Sequence, residues 1–259
     1  MEDKTTHPMS NTSRITFFLF LLLLIGRISE TLYLLWNPEV VSVPRWWYFS
    51  YLIAGYFLVS AVIYANRGDL RSLNIDRNFI YIFIFTGLVY ALVFPAGLGV
   101  ILGLCVIFDF VVFVSGSLNF EEYSPNYWQI LIFMLVCLVP DLLTFMSSGK
   151  YPNAQNLAAT LTAMYVANPA LVIFEEIIYR GMLWSFLKKA GMTEPVILVA
   201  QAAAFWITHV NYYLRDPLGF WLTVPFGAIM FGLIVWRSKT VTFSTITHYL
   251  YDLLLVLSH

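Results

Sequence analysis

Nine long apolar runs follow one another along the chain, at 15–36, 46–65, 78–94, 97–115, 127–146, 160–187, 194–213, 217–236 and 241–258. A hydrocarbon layer about 30 Å thick is crossed by a helix of roughly 20 apolar residues, so each run is a candidate span. The composition agrees: 60% of the residues are hydrophobic and 11% charged, with a mean hydropathy of +0.77, which excludes an ordinary soluble domain. The fold class expected is all-α, a polytopic transmembrane helical bundle. The runs 78–94 and 97–115 meet at Phe94, Pro95, Ala96 and Gly97. A tight helical hairpin there gives nine helices, and one partly re-entrant unit gives eight.

The first run resembles a signal-peptide core, yet it continues through Arg27 and Glu30 to Trp36 without a small-x-small cleavage site, and reads as an uncleaved helix. The chain divides into a short N-terminus (1–14), N-terminal helices (15–150) and a C-terminal set (151–259), all within one membrane domain. The polar intervals 66–77 and 147–157 read as ordinary connections. Cys105 and Cys137 both lie within apolar runs, so no disulfide framework or zinc knuckle is implied. If all nine runs cross, one side holds Lys4, Arg14, Arg67, Arg71, Arg77, Lys188, Lys189, Arg237 and Lys239, against Arg45, Lys150 and Arg215 opposite. The excess of basic residues puts the N-terminus in the cytoplasm. A net charge of −1 without a basic run gives no reason to expect nucleic acid as a partner.

Ionisable residues inside apolar runs cost at least a few kcal/mol unless paired or hydrated, so function is sought there. They are Arg27, Glu30, Asp109, Asp141, Glu175, Glu176, Arg180, His209, His248 and Asp252. Arg27 and Glu30, three apart on one helix, read as a local structural pair. Asp109 and Asp141 stand alone and read as packing residues that bond a neighbouring helix. The other six concentrate on three helices near the C-terminus. Glu176 and Arg180, at i and i+4, share a helix face and can pair. Glu175 points elsewhere, so a neighbouring helix must supply its polar company. Taken alone, this segment has a second reading as two helix-stabilising carboxylates and an arginine.

Phe205 lies one turn before His209, and Ser244, His248 and Asp252 form a polar stripe at steps of four. Asp252 is expected to bond one ring nitrogen of His248 and leave the other facing a cavity. Three chemistries fit. Glu175 can act as general base on a water held with His209, while a histidine bonds the oxyanion. His209, His248 and a carboxylate can hold zinc with one open position. Or the groups form a transporter's proton relay.

Glu175-Glu176-x-x-x-Arg180, Phe205-x-x-x-His209 and His248-x-x-x-Asp252, in that order on separate apolar runs, resemble the motifs of the CAAX protease and bacteriocin-processing family. These are intramembrane glutamate endopeptidases related to the type 2 CAAX prenyl protease, or Ras-converting enzyme. The resemblance covers about residues 160–258. It implies a water-accessible intramembrane cavity in which Glu175 activates water, His209 helps hold it and His248 lines the oxyanion position. Glu176 and Arg180 would shape the site, with Phe205 and Asp252 in support. The last position is commonly asparagine among the CAAX proteases, and aspartate cannot donate to an oxyanion as an amide can, which weakens assignment to the prenyl-protein branch. No metal is implied, and zinc is separable by elemental analysis.

The expectation is therefore a multi-pass endopeptidase acting on a membrane-associated peptide near the cytoplasmic side, without a cofactor. The alternative is a non-enzymatic membrane partner or immunity protein that binds another membrane protein. One point does not close on the run boundaries. Measured from the cytoplasmic ends, Glu175 lies about 19 Å deep and His209 about 22 Å, but His248 only about 10 Å. The last helix must then begin further out than Val241, or the helices must be tilted and offset.

Overall fold

The computed structural model describes residues 11–40, 42–93, 96–115, 118–120, 125–148 and 169–258. Among the described residues every regular element is helical. Within lipid, backbone groups must be satisfied inside the segment, which is why apolar runs of this length wind into helices. The elements are α1 (Asn11–Trp36), α2 (Arg45–Ala65), α3 (Arg77–Val93), α4 (Ala96–Val114), α5 (Tyr127–Ser148), α6 (169–189), α7 (Glu194–Ile207), α8 (217–238) and α9 (Val241–Ser258). Thr12–Trp36, Arg45–Ala65 and Gly219–Ser238 are long and apolar enough to cross a membrane by length and composition. Large apolar side chains such as Phe57, Phe85, Leu104 and Leu143 stay exposed on the outer faces, where lipid rather than water is their natural neighbour.

Helices α3 and α4 pack antiparallel. The Tyr81 and Phe113 rings are 5.2 Å apart, and further along Gly87 faces Val106. Phe94 and Pro95, at the expected break, lie outside the described residues, as do most of 147–157 and the side chain of Asp141. Asp109 of α4 accepts a 2.8 Å hydrogen bond from Ser60 of α2, a bond between neighbouring helices.

Two glycines bring the N-terminal helices close to the C-terminal set. A Cβ on Gly26 would lie 2.3 Å from the Tyr51 ring, and one on Gly55 would lie 2.3 Å from the Phe174 ring. Only glycine admits these approaches. The first seats α1 beside α2 one residue before Arg27. The second seats α2 against α6 one residue before Glu175. Tyr56, Phe83 and Phe174 build the aromatic centre of the core around this contact.

The bundle has two ends. At the N-terminal end, Thr16 bonds Asn66, the Asn119 N–H donates to the Arg67 carbonyl, and Lys188 and Lys239 pair with Glu194. At the far end, Arg215 donates to the carbonyls of Leu34 and Asn37, which closes the C-terminus of α1.

The interval 66–77 is more than a connection. Its 3-10 turn, Leu70–Leu73, buries both leucines fully. Asn74, held left-handed at φ 55°, donates from its side chain to the Arg180 carbonyl at 2.8 Å, while its own carbonyl accepts the Val241 N–H at 2.8 Å. Helix α9 does begin at Val241, so the boundary stands and the extension does not. Its start is recessed to the level of Arg180, about 7.5 Å from Glu175 along α6, and His248 lies about 10 Å beyond Val241. The two depths then agree.

The run 194–213 is also corrected, because α7 stops at Ile207. The Thr208 hydroxyl turns back to the Phe205 carbonyl, and the Thr208 carbonyl accepts Thr31 of α1 instead of a following helical N–H.

Candidate active site

Helix α6 carries the two carboxylates immediately before a π-helical stretch, Ile177–Leu183. Such wide turns are rare and concentrate at functional sites. Glu176 and Arg180 keep a common face across it. Arg180 Nη1 lies 3.2 Å from Glu176 Oε1, and both side chains are fully buried. The second guanidinium nitrogen donates to the Ala228 carbonyl at 3.2 Å, and the guanidinium carbon sits 4.4 Å over the Phe205 ring. Ser244 donates to Glu176 Oε2 at 2.6 Å, and His248 Nδ1 donates to Glu176 Oε1 at 2.9 Å. Both oxygens of Glu176 are therefore held by neighbouring side chains.

Glu175 is arranged differently. Its Oε1 lies 2.8 Å from Arg27 Nε and 3.7 Å from His209 Nε2, and its Oε2 lies 3.7 Å from His248 Nε2. The polar company comes from α1, from the turn after α7 and from α9. His209 stacks on Phe205 with centroids 4.3 Å apart, and His248 stacks on Phe231 at 4.4 Å. Tyr179 braces the turn after α7 by donating to the Thr208 hydroxyl at 2.6 Å.

The His209 tautomer follows from its neighbours. Arg27 Nη2 lies 2.8 Å from His209 Nε2, and a guanidinium can only donate. Nε2 must therefore accept, so the ring proton is on Nδ1, which donates to the Phe205 carbonyl at 2.7 Å.

Two sequence expectations change here. Asp252 is not hydrogen-bonded to His248. Its Oδ1 is 3.9 Å from Nε2, beyond hydrogen-bond distance, and Glu176 holds the ring through Nδ1 instead. Arg27 and Glu30 do pair, at 2.8 Å, but the pair is not merely local, because the same guanidinium reaches Glu175 and His209. The signal for this was present in Arg27 itself. A guanidinium has five donors in a fixed fork, and one carboxylate three residues away leaves most of them unmet. Phe231 was also missed, since an apolar residue in an apolar run carries no signal.

The site opens into a cavity of about 620 Å³ lined by Arg27, Glu30, Glu175, His209, His248 and Asp252. Its mouth is formed by Ser42, Arg45, Arg215 and Asp216, all at the far end of the bundle. The depths expected for Glu175 and His209 place them in the half of the bundle away from the N-terminus, and the structure agrees. Glu175 is 14 residues from Lys189, about 21 Å from the N-terminal end, and His209 lies past the far end of α7. Among the described residues no three His, Cys, Asp or Glu side chains converge to hold a metal ion. Instead, the Arg27 guanidinium contacts both Glu175 and His209, where a shared metal would have to sit.

Residues 155–254, which include every motif residue of this site, match the family model for type II CAAX prenyl endopeptidases, Rce1-like. The C-terminal part of the chain is thus similar to that family. No curated protein and no solved structure matches the chain. The Rce1-like match covers 100 of the 259 residues. It excludes α1, so Arg27 enters the site from outside the matched region.

Proposed function

We propose that the chain is an intramembrane endopeptidase that hydrolyses a peptide bond of a membrane-associated hydrophobic peptide, using water activated by Glu175. The observation that carries this reading is the division of labour between adjacent carboxylates. Glu176 is fully committed to Arg180, Ser244 and His248, whereas Glu175 faces the cavity with two imidazoles turned toward it.

In the proposed reaction a water enters between Glu175 and His209, replacing the contact that Arg27 Nη2 makes at His209 Nε2. Glu175 takes its proton as the oxygen attacks the scissile carbonyl. The negative charge on the tetrahedral oxygen is met by the Arg27 guanidinium and by His248 through Nε2. To donate there, His248 carries both ring protons, a positive charge set among Glu175, Glu176 and Asp252. Collapse of the intermediate breaks the C–N bond, and Glu175 returns the proton to the leaving amine. Arg27 supports a reaction without a metal, because it already supplies the positive charge that a metal would bring.

A second reading draws on the same contact. A carboxylate neutralised by a guanidinium is a weaker base, and a non-enzymatic partner would keep these groups as a polar core. The membrane peptidome of cells carrying wild type or Glu175→Gln separates the two, with folded protein measured in both. Fragments present only with wild type support the protease. Identical peptidomes at equal folded protein support the partner.

A further inference from the structure

We infer that the cavity is loaded from the extracytoplasmic side of the membrane. The cleavage itself rests on the proposed function, but the side of access rests on charge and geometry alone. Of the mouth residues, Ser42 lies between α1 and α2 and Arg45 is the first residue of α2, while Asn211, Arg215 and Asp216 lie between α7 and α8. All are at the end of the bundle opposite the N-terminus.

The N-terminal end is closed beneath the site. Arg180, Tyr179, Ile177, Leu70 and Leu73 are each no more than 1% exposed. Asn74 ties the start of α9 to the Arg180 carbonyl. Among the described residues the cavity is therefore closed toward the N-terminal end, and the exposed Ser42 and Arg45 of its lining lie at the far end.

The basic residues label the two ends. Apart from Lys4, which lies outside the described residues, the basic residues assigned above to the N-terminal side all sit at the N-terminal end, eight in number. Among the described residues the far end holds Arg45 and Arg215, with Lys150 outside them, and Arg215 caps the carbonyls of Leu34 and Asn37. An excess of this size on short loops marks the cytoplasmic face. The mouth then faces away from the cytoplasm, and the substrate is a hydrophobic peptide segment presented at the outer face of the membrane.

Single cysteines test this directly, because the native thiols Cys105 and Cys137 are buried and silent to bulky reagents. Ser42→Cys marks the exposed mouth, and Gly68→Cys marks the exposed 66–77 segment at the other end. Each is expressed in a bacterium, and spheroplasts are treated with a membrane-impermeant maleimide, with a permeant maleimide as control for reactivity. The expected result is modification of Ser42→Cys in intact spheroplasts, and of Gly68→Cys only after permeabilisation. The reverse pattern, or equal modification of both in intact spheroplasts, overturns the inference. Labelling does not depend on cleavage, so failure here is distinct from failure of the protease reading.

Discussion

Replacing Arg180 with methionine isolates the energetics of the buried pair, because methionine keeps much of the apolar stem and removes the charge. Both side chains of the Glu176–Arg180 pair are fully buried, and breaking such a pair by removing one partner costs about 3–5 kcal/mol. The structure narrows this range. Glu176 retains Ser244 at 2.6 Å and His248 at 2.9 Å, and the Ala228 carbonyl released by Arg180 is still bonded by Gln201 at 3.2 Å. The cost should therefore fall at the lower end, about 3 kcal/mol. Glu176→Gln alone leaves the Arg180 charge unpaired and should cost a similar amount. The double variant Arg180→Met/Glu176→Gln removes both charges and should be less destabilised than the sum of the two, with a coupling of at least about 2 kcal/mol. Equilibrium unfolding of the four proteins in one detergent measures the cycle. Additivity within about 0.5 kcal/mol would refute the claim that the two residues stabilise each other.

Other positions give independent checks. Arg27→Met leaves Glu30 and Glu175 facing one cavity without their shared cation, so folded yield and cleavage should both fall, with Arg27→Lys retaining more of each; a fully active Arg27→Met protein contradicts the site. Gly55→Val drives a side chain into the Phe174 ring and should cost about 1–3 kcal/mol in unfolding measurements, and unchanged stability refutes that contact. Asp252→Asn should slow cleavage less than about tenfold, because a partly exposed contact at this distance contributes little; complete loss of cleavage would mean that its charge is essential.

The sequence made the C-terminal site legible where its partners are close in helical register. Glu176 and Arg180 are one turn apart, so their pairing could be read directly. The freedom of Glu175 from Arg180 could be read the same way. What could not be read was set by contacts between distant segments. Arg27 meets His209 across 182 residues, and a local pair with Glu30 was enough to explain it in one dimension. The end of α7 depends on Thr31 of another helix taking the Thr208 carbonyl. Likewise, the recess of α9 depends on Asn74 reaching Arg180. Hydropathy sees neither, so a helix that stops early and one that starts deep both look like ordinary spans. The side on which the cavity opens follows from these two features together.

The most direct test of the central claim is the rate at which a fragment found in the wild-type peptidome forms in proteoliposomes containing purified wild type or Glu175→Gln. Glutamine preserves the shape and hydrogen bonding of the side chain but cannot take a proton from water. The account predicts a fall of about 10²–10⁴-fold with unfolding behaviour unchanged. Equal rates would contradict it, and Glu175 would then be part of a polar core rather than the base that activates water.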